Sequence, residues 1–168
     1  NQQHLLRLSP EALGRRVQPW LADAGLWQDG LLGDRHAWYF AVLDLIKVRA
    51  KRLDEFAAVG RFFFTDDLEW DEAAVAKHLA VPGARASLQA VDAALAALPD
   101  FDAASIEAAV RGVAEARGVK AGALIHPVRV ALTGKTTSPG LFEVASLRSE
   151  EHTSELQSRL HLVCRLLL

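Results

Sequence analysis

The sequence contains no methionine and a single cysteine, Cys164, among its 168 residues. One cysteine cannot form an internal disulfide, which fits a reducing compartment such as the cytoplasm. No run of about 18 apolar residues is present, so we expect no membrane-spanning helix. No signal-peptide pattern opens the chain, which begins with Asn1-Gln2-Gln3. We expect an interior fragment of a longer protein.

Residue patterns that carry chemistry are also scarce. The segment Gly134-Lys135-Thr136 looks like the end of a phosphate-binding loop, but Arg129 stands where that motif requires its first glycine. Neither a Ser/His/Asp set nor a close pair of carboxylates stands out. The histidines before residue 148 do not have metal-ligand spacing to one another or to an acid. We therefore expect no catalysis, no cofactor and no metal in this chain; these histidines are His4, His36, His78 and His126.

Charge is distributed unevenly along the chain. Residues 1–52 hold eight Lys/Arg and five Asp/Glu, a net charge of +3. Residues 53–107 hold three and eleven, a net charge of −8, and residues 108–142 hold five and one, a net charge of +4. Binding to a phosphate backbone requires a local positive surface, not a positive total. Solvated helix faces would give the same pattern, so charge alone leaves both interpretations open.

The residue pattern predicts an all-α fold of two helical subdomains, residues 1–68 and 69–147. Ser9-Pro10-Glu11 is typical of a helix start, and Gly25 predicts the end of that helix after about Ala24. Asp102 and Gly118 bound another helix in the same way. No alternation typical of strands is sustained. The remaining predicted helices start near Asp34 and Pro139 or cover residues 53–59, 71–79, 83–98 and 121–132.

Three local expectations concern apolar residues. Trp20 is predicted to face the core together with Leu13, Val17 and Leu21. Gly60 is predicted to stop the helix that precedes it. Phe62, Phe63 and Phe64 are predicted to form a connector, because three adjacent aromatic residues cannot share one face of a helix.

A basic cluster, Lys47, Arg49, Lys51 and Arg52, is predicted at the end of the second long helix. An arginine at a helix end can bind a base edge or a phosphate with its planar fork of donors. Cations at a helix C-terminus also interact favourably with the helix dipole, which is a purely structural alternative.

The segment Ser138-Pro139-Gly140-Leu141-Phe142 combines a predicted helix N-terminus, capped by Ser138, with a rigid turn. Unpaired backbone N–H groups at such a terminus suit an anion or a base edge. Leu141 or Phe142 could offer an apolar surface on which an unstacked base packs. An ordinary capped helix with a buried Phe142 explains the same residues.

Four motifs follow one another in the order found in bacterial glutamate–tRNA ligases: Asn1-Gln2-Gln3, Ser9-Pro10-Glu11, VRAKRLDEF with RFFF, and VRVALTGKTTSPGLFEV. Residues 1–147 thus resemble the C-terminal anticodon-binding region of that family of class I aminoacyl-tRNA synthetases. The resemblance implies an all-helical pair of subdomains and a glutamate-specific tRNA as partner. Attachment of glutamate with ATP and Mg²⁺ would belong to an N-terminal catalytic domain, whose signatures are absent here.

The resemblance also implies residue roles. Arg49 corresponds to an arginine that reads an anticodon base, and Arg129 with the segment Ser138, Pro139, Gly140, Leu141 and Phe142 corresponds to further anticodon contacts. Without the resemblance, a helical protein–protein adaptor with solvated basic ends remains the alternative. The candidate contacts to the RNA backbone are Lys47, Lys51, Arg52, Arg111 and Lys135.

Residues 148–168, RSEEHTSELQSRLHLVCRLLL, resemble the in-frame translation of a common sequencing adapter, with Arg159 and Leu160 at the place of its variable barcode. We expect this segment to be an artefactual tail that packs poorly on the rest of the chain. The last helix of the family would continue past Leu147, where this segment replaces it.

Overall fold

The computed structural model describes residues 2–151, and within them it contains nine α-helices and no strand. This confirms the all-α prediction. The described residues divide into two compact units between Leu68 and Glu69. No helix in this range is long and apolar enough to cross a membrane. Unit 1 contains α1 (Gln2–Arg7), α2 (Pro10–Asp23), α3 (His36–Lys47) and α4 (Glu55–Phe64); unit 2 contains α5 (Glu72–His78), α6 (Ala84–Ala96), α7 (Ala103–Ala116), α8 (Gly122–Thr133) and α9 (Leu141–Glu151).

Local capping chemistry sets the ends of α2. The Ser9 side chain accepts a hydrogen bond from the N–H of Ala12, and Pro10 occupies the first helical position. Gly25 follows the helix with φ of +67°, a conformation that glycine adopts without strain. Both predicted boundaries of this helix are confirmed.

The core of unit 1 is built from α2, α3 and α4. Leu13, Val17 and Leu21 form a buried stripe on α2, as predicted. The prediction for Trp20 is wrong, because 42% of this residue remains exposed. Trp20 lies at the flank of the stripe, where the neighbouring helices do not cover its large ring.

The prediction that Gly60 stops a helix is also wrong, since α4 runs through Gly60 to Phe64. Gly60 is buried against α3, and a Cβ atom at this position would collide with Cδ1 of Ile46. The missing side chain therefore serves close packing of two helices.

The connector predicted at Phe62, Phe63 and Phe64 is instead the last turn of α4, and all three residues are buried. Phe63 and Phe64 both pack edge-on against Trp38, with ring centroids 6.5 and 6.0 Å apart. The end of α4 is covered on several sides, so consecutive residues that point in different directions are all removed from water.

Unit 2 has its own core, formed by α5 to α9. Asp71 caps α5 by accepting from the N–H groups of Ala73 and Ala74, and Asp102 caps α7 by accepting from that of Ser105. The predicted cap at Asp102 is thus confirmed. Residues that share this core come from all five helices, and the largest of them are Leu88, Leu95, Ile106, Leu124, Leu132 and Leu141.

The last described helix differs from its prediction at its start. It begins at Leu141 and not at Pro139, and the Ser138 hydroxyl donates to the Pro139 carbonyl oxygen (2.8 Å), so it does not act as a cap. Helix α9 continues to Glu151, with Arg148 and Ser149 both buried. The expectation of poor packing from residue 148 onward is wrong for these two residues. Residues 152–168 of the expected tail lie outside the described range.

Candidate RNA-binding surfaces

The basic cluster of unit 1 lies in a turn after α3, and we call residues 47–52 the basic turn. Helix α3 ends at Lys47, and the N–H groups of Arg49 and Ala50 both donate to the carbonyl oxygen of Ile46, at 2.8 and 3.0 Å. Ala50 is fully buried and anchors the turn. The predicted position at the end of the helix is therefore wrong for Arg49, Lys51 and Arg52, because α3 ends at Lys47 and the chain turns inward at Ala50.

The four cations of the basic turn differ in their partners. Lys47 forms an ion pair with Asp44, and Nη2 of Arg52 lies 3.0 Å from Oδ2 of Asp54. Arg49 and Lys51 are exposed, and neither side chain forms an ion pair within residues 2–151. The backbone N–H of Lys51 donates to Oε2 of Glu55 (2.7 Å), which fastens the turn to α4. The turn thus presents two uncommitted cations from a fixed backbone.

In unit 2, the loop between α8 and α9 is fixed at its start. Gly134 ends α8 with φ of +75°, and its carbonyl oxygen accepts a hydrogen bond from the N–H of Asp71 (2.9 Å). A Cβ atom on Gly134 would collide with the carbonyl oxygen of Glu69. Nζ of Lys135 lies 3.8 Å from Oε2 of Glu69. The start of the loop is thereby held against the segment that precedes α5.

Arg129 lies one helical turn before the end of α8 and is half-buried. Its carbonyl oxygen accepts a hydrogen bond from the Thr133 hydroxyl (2.8 Å), and the N–H of Lys135 lies 3.3 Å from the same hydroxyl oxygen. The Thr133 hydroxyl therefore links the backbone of Arg129 to the backbone of Lys135. The structure places these two predicted cations at the same end of α8.

The segment 138–142 presents backbone more than side chain. Ser138, Pro139 and Leu141 are buried, Phe142 is half-buried against the unit 2 core, and Gly140 is exposed. The predicted stacking surface is wrong for Leu141, which is only 3% exposed because it packs inward on α7 and α8. Gly140 exposes the backbone just before the start of α9.

The carboxylate of Glu143 folds back toward the start of α9, into the space that a Cβ on Gly140 would occupy. A carboxylate at a helix N-terminus already takes the position that a phosphate would favour. It also accepts hydrogen bonds from the amino groups of bases. This end of the loop is therefore suited to a base edge better than to a phosphate.

Arg111 lies on α7 and is exposed. Its Nε and Nη2 atoms both lie 2.7 Å from Oε1 of Glu107, one helical turn earlier. Its charge is thus partly neutralised on its own helix. An exposed pair of this kind contributes little to stability and exchanges readily for another anion.

One pairing was missed by sequence reasoning. His78 at the end of α5 and His126 in α8 stack their rings, with centroids 5.2 Å apart and planes inclined by 22°. Burial lowers the pKa of His78, and the neighbouring His126 and Lys77 lower this pKa further. No group of three or more potential metal ligands occurs in the part of the chain that the structure describes. Nothing in the sequence links two histidines so far apart.

Comparison with known proteins relates these surfaces to a family. The family model described as an anticodon binding domain matches residues 12–161. A glutamate–tRNA ligase from Moorella thermoacetica is 37% identical over 84% of this chain and 29% of its own length. Glutamate–tRNA ligase 1 from Syntrophomonas wolfei is 34% identical over 99% of this chain and 33% of its own length.

Solved structures agree with these relatives. A glutamate tRNA ligase from Elizabethkingia meningosepticum, crystallised in complex with its amino acid, superimposes with a TM-score of 0.84 at 26% identity. The match covers all of this chain and 31% of that one. The chain therefore spans about a third of the length of the ligases it matches. Since the family model covers most of its residues, the chain belongs to the anticodon-binding domain family.

Proposed function

We propose that this chain recognises the anticodon of a glutamate-accepting tRNA as part of a glutamate–tRNA ligase. The observation that carries the proposal is the basic turn, where Arg49 is exposed and has no ion-pair partner within residues 2–151. The chain belongs to a family of anticodon-binding domains. The RNA that such a domain would bind carries negative charge, which attracts the Arg49 cation.

Arg49 is suited to reading a base because its backbone is already fixed. Buried Ala50 and the hydrogen bond from Lys51 to Glu55 hold the turn before any ligand arrives. Less conformational entropy is then lost on binding, and the guanidinium fork can distinguish base edges by geometry. Lys51 beside it offers a point charge for a phosphate, as do Lys47 and Arg52 when they exchange their carboxylate partners.

Unit 2 would contribute a second set of contacts. Exposed Gly140 and the carboxylate of Glu143 provide donors and an acceptor for a base edge. Arg129 and Lys135, brought to one end of α8, would neutralise neighbouring phosphates, and Arg111 would add a weaker backbone contact. In this proposal residues 1–68 and residues 69–147 each supply contacts of their own to the RNA.

The parent enzyme would attach glutamate to the tRNA in the cytoplasm with ATP and Mg²⁺, in a catalytic domain outside this chain. Anticodon binding here would then favour productive delivery of the acceptor end. The adaptor alternative is not favoured, because the family model that matches most of the chain is described as an anticodon binding domain.

The test is binding of this chain to glutamate tRNA and to the same tRNA with an exchanged anticodon, across a salt series. We expect tighter binding of the cognate anticodon and a steep loss of affinity with salt, as release of counterions requires. Equal affinity for both RNAs would reduce the chain to a nonspecific basic surface. Absence of binding to either RNA by the folded chain would support the adaptor.

A further inference from the structure

A groove of about 650 Å³ lies between α2 and α3 in unit 1. Its lining contains none of the residues assigned to anticodon recognition above. It is formed by Glu11, Arg15 and Gln18 from α2 and by Leu32, His36 and Phe40 from the opposite side.

The groove has a defined structural origin. Gly14 lets α2 approach α3 closely, since a Cβ atom there would lie 3.0 Å from the ring of Phe40 and 3.1 Å from that of Tyr39. The buried Tyr39 hydroxyl donates to the Gly14 carbonyl oxygen (3.0 Å) and locks this approach. Residues 11, 15 and 18 then share one face of α2 above the contact.

One wall of the groove is apolar. Phe40 is half-buried, and the His36 ring packs edge-on against it, with centroids 5.7 Å apart. Nδ1 of His36 lies 2.6 Å from the carbonyl oxygen of Gly33. A carbonyl oxygen only accepts, so Nδ1 carries the hydrogen and donates it to Gly33.

The α2 wall is polar. A hydrogen bond with its own backbone N–H and another with Ser9 lower the pKa of Glu11, and His36 and Arg15 lower it further. The carboxylate therefore stays ionised at neutral pH. Arg15 supplies donors only, whereas the Gln18 amide supplies both a donor and an acceptor and makes no hydrogen bond within the described residues.

We infer that this groove binds a single unstacked nucleotide of the RNA, with the base on Phe40 and Leu32. Gln18 and Arg15 would hydrogen-bond the base edge or its phosphate, and the Glu11 carboxylate would accept from the ribose 2′-hydroxyl. Aromatic stacking combined with an acceptor for the 2′-hydroxyl is the chemistry that distinguishes RNA from DNA. The inference rests on the proposed function, because the ligand is a second part of the same RNA.

The nucleotide in the groove must differ from the one on Arg49. His36 and Lys47 are the first and last residues of α3, so they lie about 16 Å apart along the helix axis. The groove would therefore hold a nucleotide well separated from the base read by the basic turn.

The experiment compares tRNA binding by the whole chain with that of Arg15→Ala and Gln18→Ala. Arg7→Ala serves as the matched control, because it removes the same charge from an exposed site of unit 1 outside the groove. Probing of 2′-hydroxyl acylation on the bound tRNA locates the contact. We expect about tenfold weaker binding by each groove variant. In each groove variant, one nucleotide of the bound tRNA should lose its protection from acylation, and this nucleotide should be distant from the one that Arg49→Ala exposes. In Arg7→Ala the same nucleotide should stay protected.

A 2′-deoxy substitution at the protected nucleotide should weaken binding to the unchanged chain and have no further effect on Glu11→Ala, which lacks the acceptor for the 2′-hydroxyl. The inference is overturned if the chain distinguishes anticodons but the groove variants match Arg7→Ala in affinity and in protection. If the unchanged chain does not distinguish anticodons, the proposed function has failed. Even in that case, loss of protection from acylation in the groove variants alone would support the groove as an RNA-binding site.

Discussion

Arg49 and Arg52 lie three residues apart in the basic turn but differ in what holds their side chains. Arg52 is paired with Asp54, whereas Arg49 extends into solvent from a turn anchored by Ala50. An arginine that is already paired must exchange one carboxylate for another anion, which returns little free energy. Specificity should therefore depend on Arg49 more than on its neighbour.

We expect Arg49→Ala to weaken binding of the cognate anticodon by about 1–3 kcal/mol and binding of an exchanged anticodon much less. Arg49→Lys keeps the charge but not the fork, so it should restore affinity for both RNAs without restoring the difference between them. Titrations of both RNAs measure this, with Arg7→Ala as the control for loss of charge. Equal losses on both RNAs would assign Arg49 to a phosphate.

Two glycines with nearly the same backbone conformation provide a second residue-scale prediction. Gly118 and Gly134 have φ of +64° and +75°, but only Gly134 has backbone atoms in the path of a Cβ. Gly118→Ala should cost about 1 kcal/mol for the left-handed conformation alone. Gly134→Ala should cost clearly more, because α8 must move away from Glu69. Urea unfolding of the two variants compares them, and equal costs would contradict the packing argument.

Residues whose roles depend on near neighbours were predictable from the sequence. Ser9 and Asp102 cap helices through atoms three residues away, so their roles are written in the local pattern. Trp20 and Leu141 depend on which other helices cover them, and both predictions were wrong. The residue types of the candidate site came from the sequence, but the partners of Lys47, Arg52 and Arg111 required the structure.

Among the helices, α5 and α8 are joined by the stacked rings of His78 and His126. The pKa of His78 in the folded chain lies below its ordinary value of 6.5. Near this pKa the folded state then binds fewer protons than the unfolded state. The contribution of His78 to stability is therefore fully present above about pH 6.5 and is lost as the pH falls through the lowered pKa.

The urea concentration at the unfolding midpoint should consequently decrease when the pH is lowered from 7.5 to 5.5. His78→Asn and His126→Asn should each reduce this fall, and the double variant should add little, since one contact is removed in each case. Fully additive effects would show that His126 does not influence the pKa of His78.

Close packing of α3 on α4 gives another prediction at this scale. Gly60→Ala should destabilise unit 1 despite the higher helix propensity of alanine, because its Cβ meets Cδ1 of Ile46. Ile46→Val removes that methyl group, so the double variant should be more stable than the sum of the two single changes predicts. Thermal unfolding of the four proteins tests this, and simple additivity would remove the steric explanation.

Helix existence was largely predictable, and helix ends only where caps are local. The end of α4 was misplaced because Gly60 has a tertiary role that resembles a stop signal in the sequence. The start of α9 was misplaced because Ser138 donates to Pro139 and the helix begins only at Leu141. The basic turn was predicted at a helix end because neighbouring residues do not show that α3 ends at Lys47 or that Ala50 is buried.

Over the whole molecule, the net charge of −2 hides two basic segments around an acidic one. RNA binding should still weaken steeply with salt, because counterion release depends on the phosphates contacted and not on total charge. Arg49→Ala combined with Lys51→Ala should lower the slope of log affinity against log salt by about 1 to 2. A slope that does not change would place the contacts elsewhere, and Arg7→Ala again provides the control.

At the turn of Gly134, the Cα of Trp70 lies within van der Waals contact, 3.6 Å from the position that a Cβ of Gly134 would take. Trp70 is 40% exposed, and it is the one tryptophan of unit 2 among the four in the chain. Indole emission depends on contact with water. Occupation of the loop that begins at Gly134 should therefore shift the Trp70 emission wavelength, which would make this tryptophan a built-in fluorescent reporter beside a proposed recognition site.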